Sequence, residues 1–320
     1  MSLPLAASPT PLLRVDGLRI SFLDGDAVRG VSFALSAGDV LALVGESGAG
    51  KSLTARALLG MVPREAVVKG RVLLHGEPVT PADLGRRLAW IPQEAMSALS
   101  PVHRVEDQLA FAVRSVARVK RSAALDVARR ALAEVGLGPE PAGAYPHTLS
   151  GGMRQRAVIA MALVNEPALV VADEPTTALD PERQEQVLTL LRERCAAAGT
   201  ALLLVSHDLA AVRRHADRVA VMYAGRITEL GLTERVLGRP VAPYTRGLLA
   251  SLPEAGLPHR SRLPVFTDAP HTPGAVAGTR CVFAPRCPGA DELCRQREPV
   301  LRVVDGRSVT CHHPFFEETE

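Results

Sequence analysis

The residues richest in chemistry run from position 45 to 52, as Gly45-Glu46-Ser47-Gly48-Ala49-Gly50-Lys51-Ser52. They follow a short apolar run, Val40 to Val44, and precede a helical apolar pattern, Leu53 to Leu59, closed by Gly60. A strand, then G-x-x-x-x-G-K-[ST], then a helix is the context of a nucleotide-phosphate loop. Glycines let the backbone curl so that successive N–H groups face phosphate oxygens, and the following helix adds positive potential at its N-terminus. Lys51 would reach the β- and γ-phosphates, and the Ser52 hydroxyl would bind Mg²⁺. Of 37 basic residues only Lys51, Lys69 and Lys120 are lysines. A chain that otherwise uses arginine has a lysine where a compact point charge must fit among phosphates. The pattern implies binding of a nucleoside triphosphate.

A second group lies downstream. The apolar strand Leu169 to Ala172 leads into Asp173-Glu174, placing two carboxylates at a sheet edge, where α/β proteins bind ligands. Asp173 can hold Mg²⁺ opposite Ser52, and Glu174 can polarise a water for in-line attack on the γ-phosphate. The small residues of Leu149-Ser150-Gly151-Gly152-Met153-Arg154-Gln155 open a helix whose N-terminus an anion can approach closely. Four of five cysteines (Cys281, Cys287, Cys294, Cys311) fall in the last 40 residues. In a reducing compartment such clustering points to a metal or cluster more than to disulfides. The spacing C-x₅-C-x₆-C-x₁₆-C lacks the close pairs usual for structural zinc. Four thiolates suit a [4Fe–4S] cluster. Zinc, with His312 and His313 as further ligands, and four unligated thiols packing a small extension are the alternatives. Cys195 stands inside a helical pattern and reads as an isolated thiol.

The elements that must position these groups alternate along the chain. Leu12 to Phe22 and Val31 to Leu35 read as strands joined through Asp24-Gly25-Asp26, and Arg71 to Leu74 and Leu88 to Ile91 as further strands. Val105 to Val135 is helical in two segments, broken near Lys120-Arg121-Ser122. Pro181 to Ala198 is a long helix, Ala201 to Val205 a strand delivering Ser206-His207-Asp208, and Arg218 to Leu230 a hairpin turned at Ala224-Gly225. Strands alternating with helices indicate a mostly parallel sheet covered on both faces. With 320 residues, 47% apolar, the chain suits one large domain plus an appendage. A net charge of +3 gives no support for nucleic acid as the main partner. No run approaches 18 apolar residues, and Met1 to Pro11 lacks the features of a secretory signal, so a cytosolic location is expected.

Leu-Ser-Gly-Gly-x-x-Gln, standing between the two nucleotide motifs, resembles the signature of ATP-binding cassette proteins. The resemblance implies an α/β fold. It comprises a P-loop NTPase core with an antiparallel β subdomain and a helical signature subdomain, plus a small cysteine-containing C-terminal extension. Residue by residue, it gives Phe22 the aromatic that stacks on adenine, and Gln93 the glutamine that senses Mg²⁺ and the attacking water. Ser150, Gly151 and Gly152 match positions that bind the γ-phosphate of the opposite subunit's ATP. Asp180 matches the loop that crosses the dimer interface, and His207 the switch histidine at the γ-phosphate. Glu174 is intact, so a hydrolysing cassette is expected, and one cassette per chain implies a dimer of chains.

Val221 to Arg226 and Pro243 to Leu249 resemble the oligopeptide/dipeptide importer branch, which also includes nickel and some sugar importers. Glu94-Ala95 departs slightly from its pattern. Arg280 to Pro288 resembles the branch's C-terminal extension, in which some relatives carry a [4Fe–4S] cluster. The expected organisation is a tail over 1–11, a cassette over 12–255 with its helical subdomain at about 94–166, and the extension over 256–320. The implied partners are a second, related cassette, two permease subunits and an extracytoplasmic solute-binding protein, at the cytoplasmic face of the inner membrane. The groove for the permease's coupling helix is expected between Gln93 and Val135. The rival of another class is a soluble cassette ATPase acting on nucleic acid, the ribosome or cluster assembly.

Overall fold

Twelve strands and ten α-helices occur among the described residues of this computed structural model, which are 11–94, 98–177, 179–251 and 280–315. The expected tail up to residue 10, the 95–97 part of the coupling groove and the expected boundary at 255/256 lie outside them. The chain opens with β1 (Leu13–Phe22), β2 (Gly25–Leu35), β3 (Val40–Val44) and α1 (Lys51–Leu58). Then come β4 (Val67–Leu74), β5 (Glu77–Pro78) and β6 (Leu88–Ile91). Helices α2 (Val105–Val116), α3 (Arg121–Glu134), α4 (Pro139–Ala142) and α5 (Gly151–Leu163) follow. Next are β7 (Leu169–Asp173), α6 (Pro181–Ala197), β8 (Ala201–Val205) and α7 (Leu209–His215). After the hairpin β9 (Arg218–Tyr223) and β10 (Arg226–Leu232) stand α8 (Thr233–Gly238) and α9 (Pro243–Ala250). The extension supplies α10 (Glu292–Gln296), β11 (Leu301–Val304) and β12 (Arg307–Thr310).

One sheet has the order β2-β1-β4-β5 and is antiparallel; the other has the order β11-β12-β10-β9-β3-β8-β7-β6. Within the large sheet β9, β3, β8, β7 and β6 run parallel. Its centre is apolar on both faces: every residue of β3, β7 and β8 is buried. Such strands need cover on each side, and the two-residue period supplies two cores. Val40, Ala42 and Val44 face a helical core shared with α2, α3, α5 and α6. Leu41 and Leu43 face a second core built with α1 and the small sheet. Register keeps the faces consistent, since Ala42 pairs with Leu204 and Leu204 with Ala172, all in the helical core. The helices present stripes at four-residue spacing, Val105-Leu109-Val113 on α2 and Ala124-Ala128-Leu132 on α3.

Two strands are longer than the sequence suggests. The expected Val31–Leu35 begins at Gly25, because irregularities in its pairing with β1 break the alternation that marks a strand. The expected Arg71–Leu74 begins at Val67, in an exposed stretch with no apolar-in pattern. The β11–β12 hairpin was not anticipated. It extends the large sheet through β12, which pairs with β10 at Glu229↔Val309 and Leu230↔Ser308. Ionic contacts fasten the extension. Arg307, on β12, lies 3.5 Å from the wholly buried Glu229 of β10, and Glu298 faces Arg29 and Arg226.

Candidate functional site

Because the central strands are parallel, their C-terminal ends meet at one edge of the sheet. There β3 runs into Gly45–Gly50, β7 into Asp173-Glu174 and β8 into Ser206-His207-Asp208. Gly45 has φ +148°, and a Cβ there would lie 2.1 Å from the Met222 carbonyl oxygen, so the loop can leave β3 only through glycine. Gly50, at φ +94°, caps α1 and accepts the Thr54 N–H at 2.9 Å. Lys51 is buried at the first turn of α1, its Nζ donating to the carbonyls of Gly45 (2.9 Å) and Glu46 (3.0 Å). Burial lowers its pKa, while the carboxylates of Glu174, Asp173 and Glu46 act in the opposite direction.

The Ser52 hydroxyl donates to Asp173 Oδ1 at 2.8 Å, across 121 residues of sequence. Asp173 is wholly buried, and its Oδ2 has no hydrogen-bond partner among the described residues. Burial pushes its carboxyl above the usual range. A buried carboxylate oxygen without a donor, beside a serine hydroxyl, fits a hard divalent cation with oxygen ligands.

Glu174 stands one residue further, at φ +47°, a left-handed conformation that costs a non-glycine residue on the order of 1 kcal/mol. Its N–H donates to the Val205 carbonyl at 3.0 Å, which holds the turn against β8. Three side chains converge on Glu174 Oε2: Gln93 Nε2 at 3.4 Å, Thr177 Oγ1 at 3.2 Å and His207 Nδ1 at 3.1 Å. Sequence reading grouped Gln93, Glu174 and His207 but missed Thr177. It also missed what Gln155 does: its buried amide donates to the Pro175 carbonyl at 2.7 Å, tying α5 to the turn after Glu174. Gln155 closes the Leu149–Gln155 motif, and a buried amide always raises the question of its partner.

Ser150, Gly151 and Gly152 are not drawn into this group; they line a separate hollow of about 150 Å³ with Leu179 and Arg183. Ser150 caps α5 by accepting the Met153 N–H, and Asp180 caps α6 by accepting that of Arg183. Phe22 is half-buried and packs against the second core.

The four late cysteines line one apolar cavity of about 100 Å³, together with Tyr244 and Phe283. All are unbridged, and burial raises each thiol, that of Cys311 to about 11. Ligand atoms of Asp291, Cys294 and His313 lie within 4.8 Å of one another. His312 instead places Nε2 2.9 Å from the Arg297 carbonyl. Among the described residues the ligand atoms close enough to share one ion are thus those of Asp291, Cys294 and His313, while the four thiols line the wall of a wider cavity.

Comparison with known proteins agrees with this geometry. A family model described as ABC transporter matches residues 28–177, and one described as oligopeptide/dipeptide transporter, C-terminal region, matches residues 228–294. The chain is 43% identical to a probable peptide ABC transporter ATP-binding protein of Sinorhizobium fredii, over 89% of this chain and 88% of that one. It is 38% identical to the oligopeptide transport ATP-binding protein OppD of Escherichia coli, over 99% and 97% of the two chains. Among solved structures, cbiO1 of Clostridium perfringens, part of an ABC transporter complex, superposes with TM-score 0.64 at 25% identity, covering 72% of this chain and 91% of that one. The chain therefore belongs to the ATP-binding proteins of ABC transporters, ATPases of the oligopeptide/dipeptide transporter branch.

Proposed function

We propose that this chain hydrolyses ATP to power import of di- and oligopeptides through a membrane transporter. One observation carries the reading: Gln93, Thr177 and His207 meet at a single oxygen of Glu174, one residue from the buried Asp173 that Ser52 contacts. In this assignment Lys51 leaves the carbonyls of Gly45 and Glu46 for the β- and γ-phosphates, while Gly45 to Gly50 offer backbone N–H groups. Ser52, Asp173 and Gln93 hold Mg²⁺, which when bound offsets charge on the phosphates. Phe22 stacks on the adenine. Glu174 takes a proton from water as the water oxygen bonds to the γ-phosphorus and the β–γ bridging bond breaks, giving ADP and phosphate. Gln93 and His207 orient the water and the γ-phosphate.

Two cassettes close face to face, each presenting Ser150, Gly151, Gly152 and Asp180 to the other's ATP; the partner cassette is a related, non-identical chain. Closure moves two permease subunits, which an extracytoplasmic binding protein supplies with peptide. Among the described residues no helix is long and apolar enough to cross a membrane, and the chain docks peripherally at the cytoplasmic face of the inner membrane. Cys281, Cys287, Cys294 and Cys311 hold a [4Fe–4S] cluster, supported by their shared apolar cavity. The proximity of Asp291, Cys294 and His313 favours zinc as the second reading. Iron, sulfide and zinc analysis of anaerobically purified chain separates the two.

The functional test is uptake of labelled di- and oligopeptides, with nickel in parallel, in cells lacking the chain and rescued with wild type or Glu174→Gln. Removing a general base slows turnover ~10²–10⁴-fold. Only the wild type should restore peptide uptake, and Glu174→Gln should still bind ATP. Near-normal hydrolysis by Glu174→Gln overturns the base assignment, and nickel uptake lost alone overturns the cargo.

A further inference from the structure

Glu46, the second residue of the phosphate loop, has each of its polar groups engaged. Its N–H donates to the hydroxyl of Tyr244 at 3.1 Å, and its carbonyl accepts from Lys51 Nζ at 3.0 Å. Its carboxylate takes a fork from Arg286 of the C-terminal extension, Nη1 to Oε2 at 2.9 Å and Nη2 to Oε1 at 3.1 Å. The two residues are 240 apart in sequence. Arg286 is well buried, at 13% side-chain exposure, and lies over the Tyr223 ring at 5.6 Å from its centroid. Tyr223, Tyr244 and Phe283 pack ring against ring, with centroids 4.6 to 5.4 Å apart, behind this pair. A forked, partly buried pair on a rigid aromatic bracket defines both distance and direction, which a surface ion pair does not.

An acidic side chain is an awkward neighbour for a site that must accept a polyanion. The Glu46 carboxylate acts on the Lys51 ammonium, the charge the phosphates need. Its fork to Arg286 sets a full positive charge against it. We infer that Arg286 is a positioning residue for ATP binding: it draws Glu46 away from the phosphate pocket, so that the C-terminal extension sets the nucleotide affinity of the cassette. The inference rests on the ATPase reading above. It adds a role for a residue that lies between Cys281 and Cys287, on a turn closed by the Arg286 N–H to Phe283 carbonyl bond.

The test is titration of the full-length chain with a fluorescent ATP analogue and Mg²⁺, alongside steady-state hydrolysis. Arg286→Ala should raise Kd and KM for ATP on the order of tenfold, as for loss of a charge-assisted pair, with kcat within about twofold. Glu46→Gln in the Arg286→Ala background should bring Kd back to within about threefold of wild type, because the unpaired carboxylate is then gone. If Arg286 merely packed the extension, the second change would leave Kd where Arg286→Ala had put it, because the carboxylate's contact is already gone. Arg286→Lys, which keeps charge but not the fork, should fall between, and it serves if Arg286→Ala fails to fold. Unchanged Kd in Arg286→Ala, or in Arg286→Lys where that variant serves, overturns the inference. So does a double variant no better than Arg286→Ala. A wild-type chain that binds no ATP overturns the ATPase reading itself.

Discussion

The fastening of the extension to the cassette makes a quantitative prediction at Glu229. This carboxylate is wholly buried, accepts the N–H groups of Val241 (3.2 Å) and Ala242 (3.0 Å), and faces Arg307. Glu229→Ala strands two buried main-chain donors at ~1–3 kcal/mol each. Arg307 retains the carbonyls of Arg235 and Arg239 and the carboxylate of Asp305, so its own loss is partial. The expected cost is ~3–5 kcal/mol, the range for removing one member of a buried ion pair, and a large share of a typical ~5–15 kcal/mol. Burial also holds the Glu229 carboxyl above its ordinary value of 4.5, so the folded chain binds that proton more tightly than the unfolded chain. The stability linked to it is complete below 4.5 and is lost as pH rises through the folded value. The margin of wild type over Glu229→Ala should therefore be wider at pH 5 than at pH 8, measured by urea denaturation followed by circular dichroism. Glu229→Met with Arg307→Met should cost less than the sum of the single changes. A cost below ~1 kcal/mol for Glu229→Ala, or strict additivity in the double variant, refutes the reasoning.

At the phosphate loop, Gly45→Ala should cost at least ~3 kcal/mol and abolish ATP binding, because its Cβ meets the Met222 carbonyl. Gly48→Ala, with open space around the added carbon, should cost only ~1–2 kcal/mol from its left-handed backbone. Equal urea midpoints for the two would remove the steric argument. Burial pushes the Cys195 thiol up to about 12 from 9.0, so alkylation by iodoacetamide in the native chain should run ~10³-fold slower than for a free thiol. Peptide mass spectrometry checks this, and labelling at the free rate would show that Cys195 is accessible.

The local chemistry was legible wherever function demands a contiguous string. The loop at Gly45 to Ser52 and the pair Asp173-Glu174 announce themselves, and the strands bearing them are unbroken apolar runs. The helix pair α2–α3 could be read from its stripes and from the break at Lys120-Arg121-Ser122. What could not be read are contacts without a local signal. Arg286 was seen only as part of a cysteine motif, and nothing near it in sequence points to Glu46. Tyr244 belonged to a quoted stretch, yet its hydroxyl is used by a backbone group 198 residues earlier. The β11–β12 hairpin escaped because Arg302, Arg307 and Ser308 interrupt apolar alternation, and its inward cation is matched by Glu229 on another strand.

The position of β3 in the large sheet bears on how the chain is made. Among the described residues its strand neighbours are β8 and β9, so the strand that launches the phosphate loop has no hydrogen-bonding partner until residues 201–205 have been synthesised. From Val44 to Val205 a ribosome adding ~5–20 residues per second needs roughly 8–32 s. Throughout that interval Val40-Leu41-Ala42-Leu43-Val44, five apolar residues without a charge, is a strand with both edges open. That is the kind of segment on which nascent chains associate wrongly. The order that places β3 between two later strands thus leaves the half-made chain carrying an open apolar strand during translation.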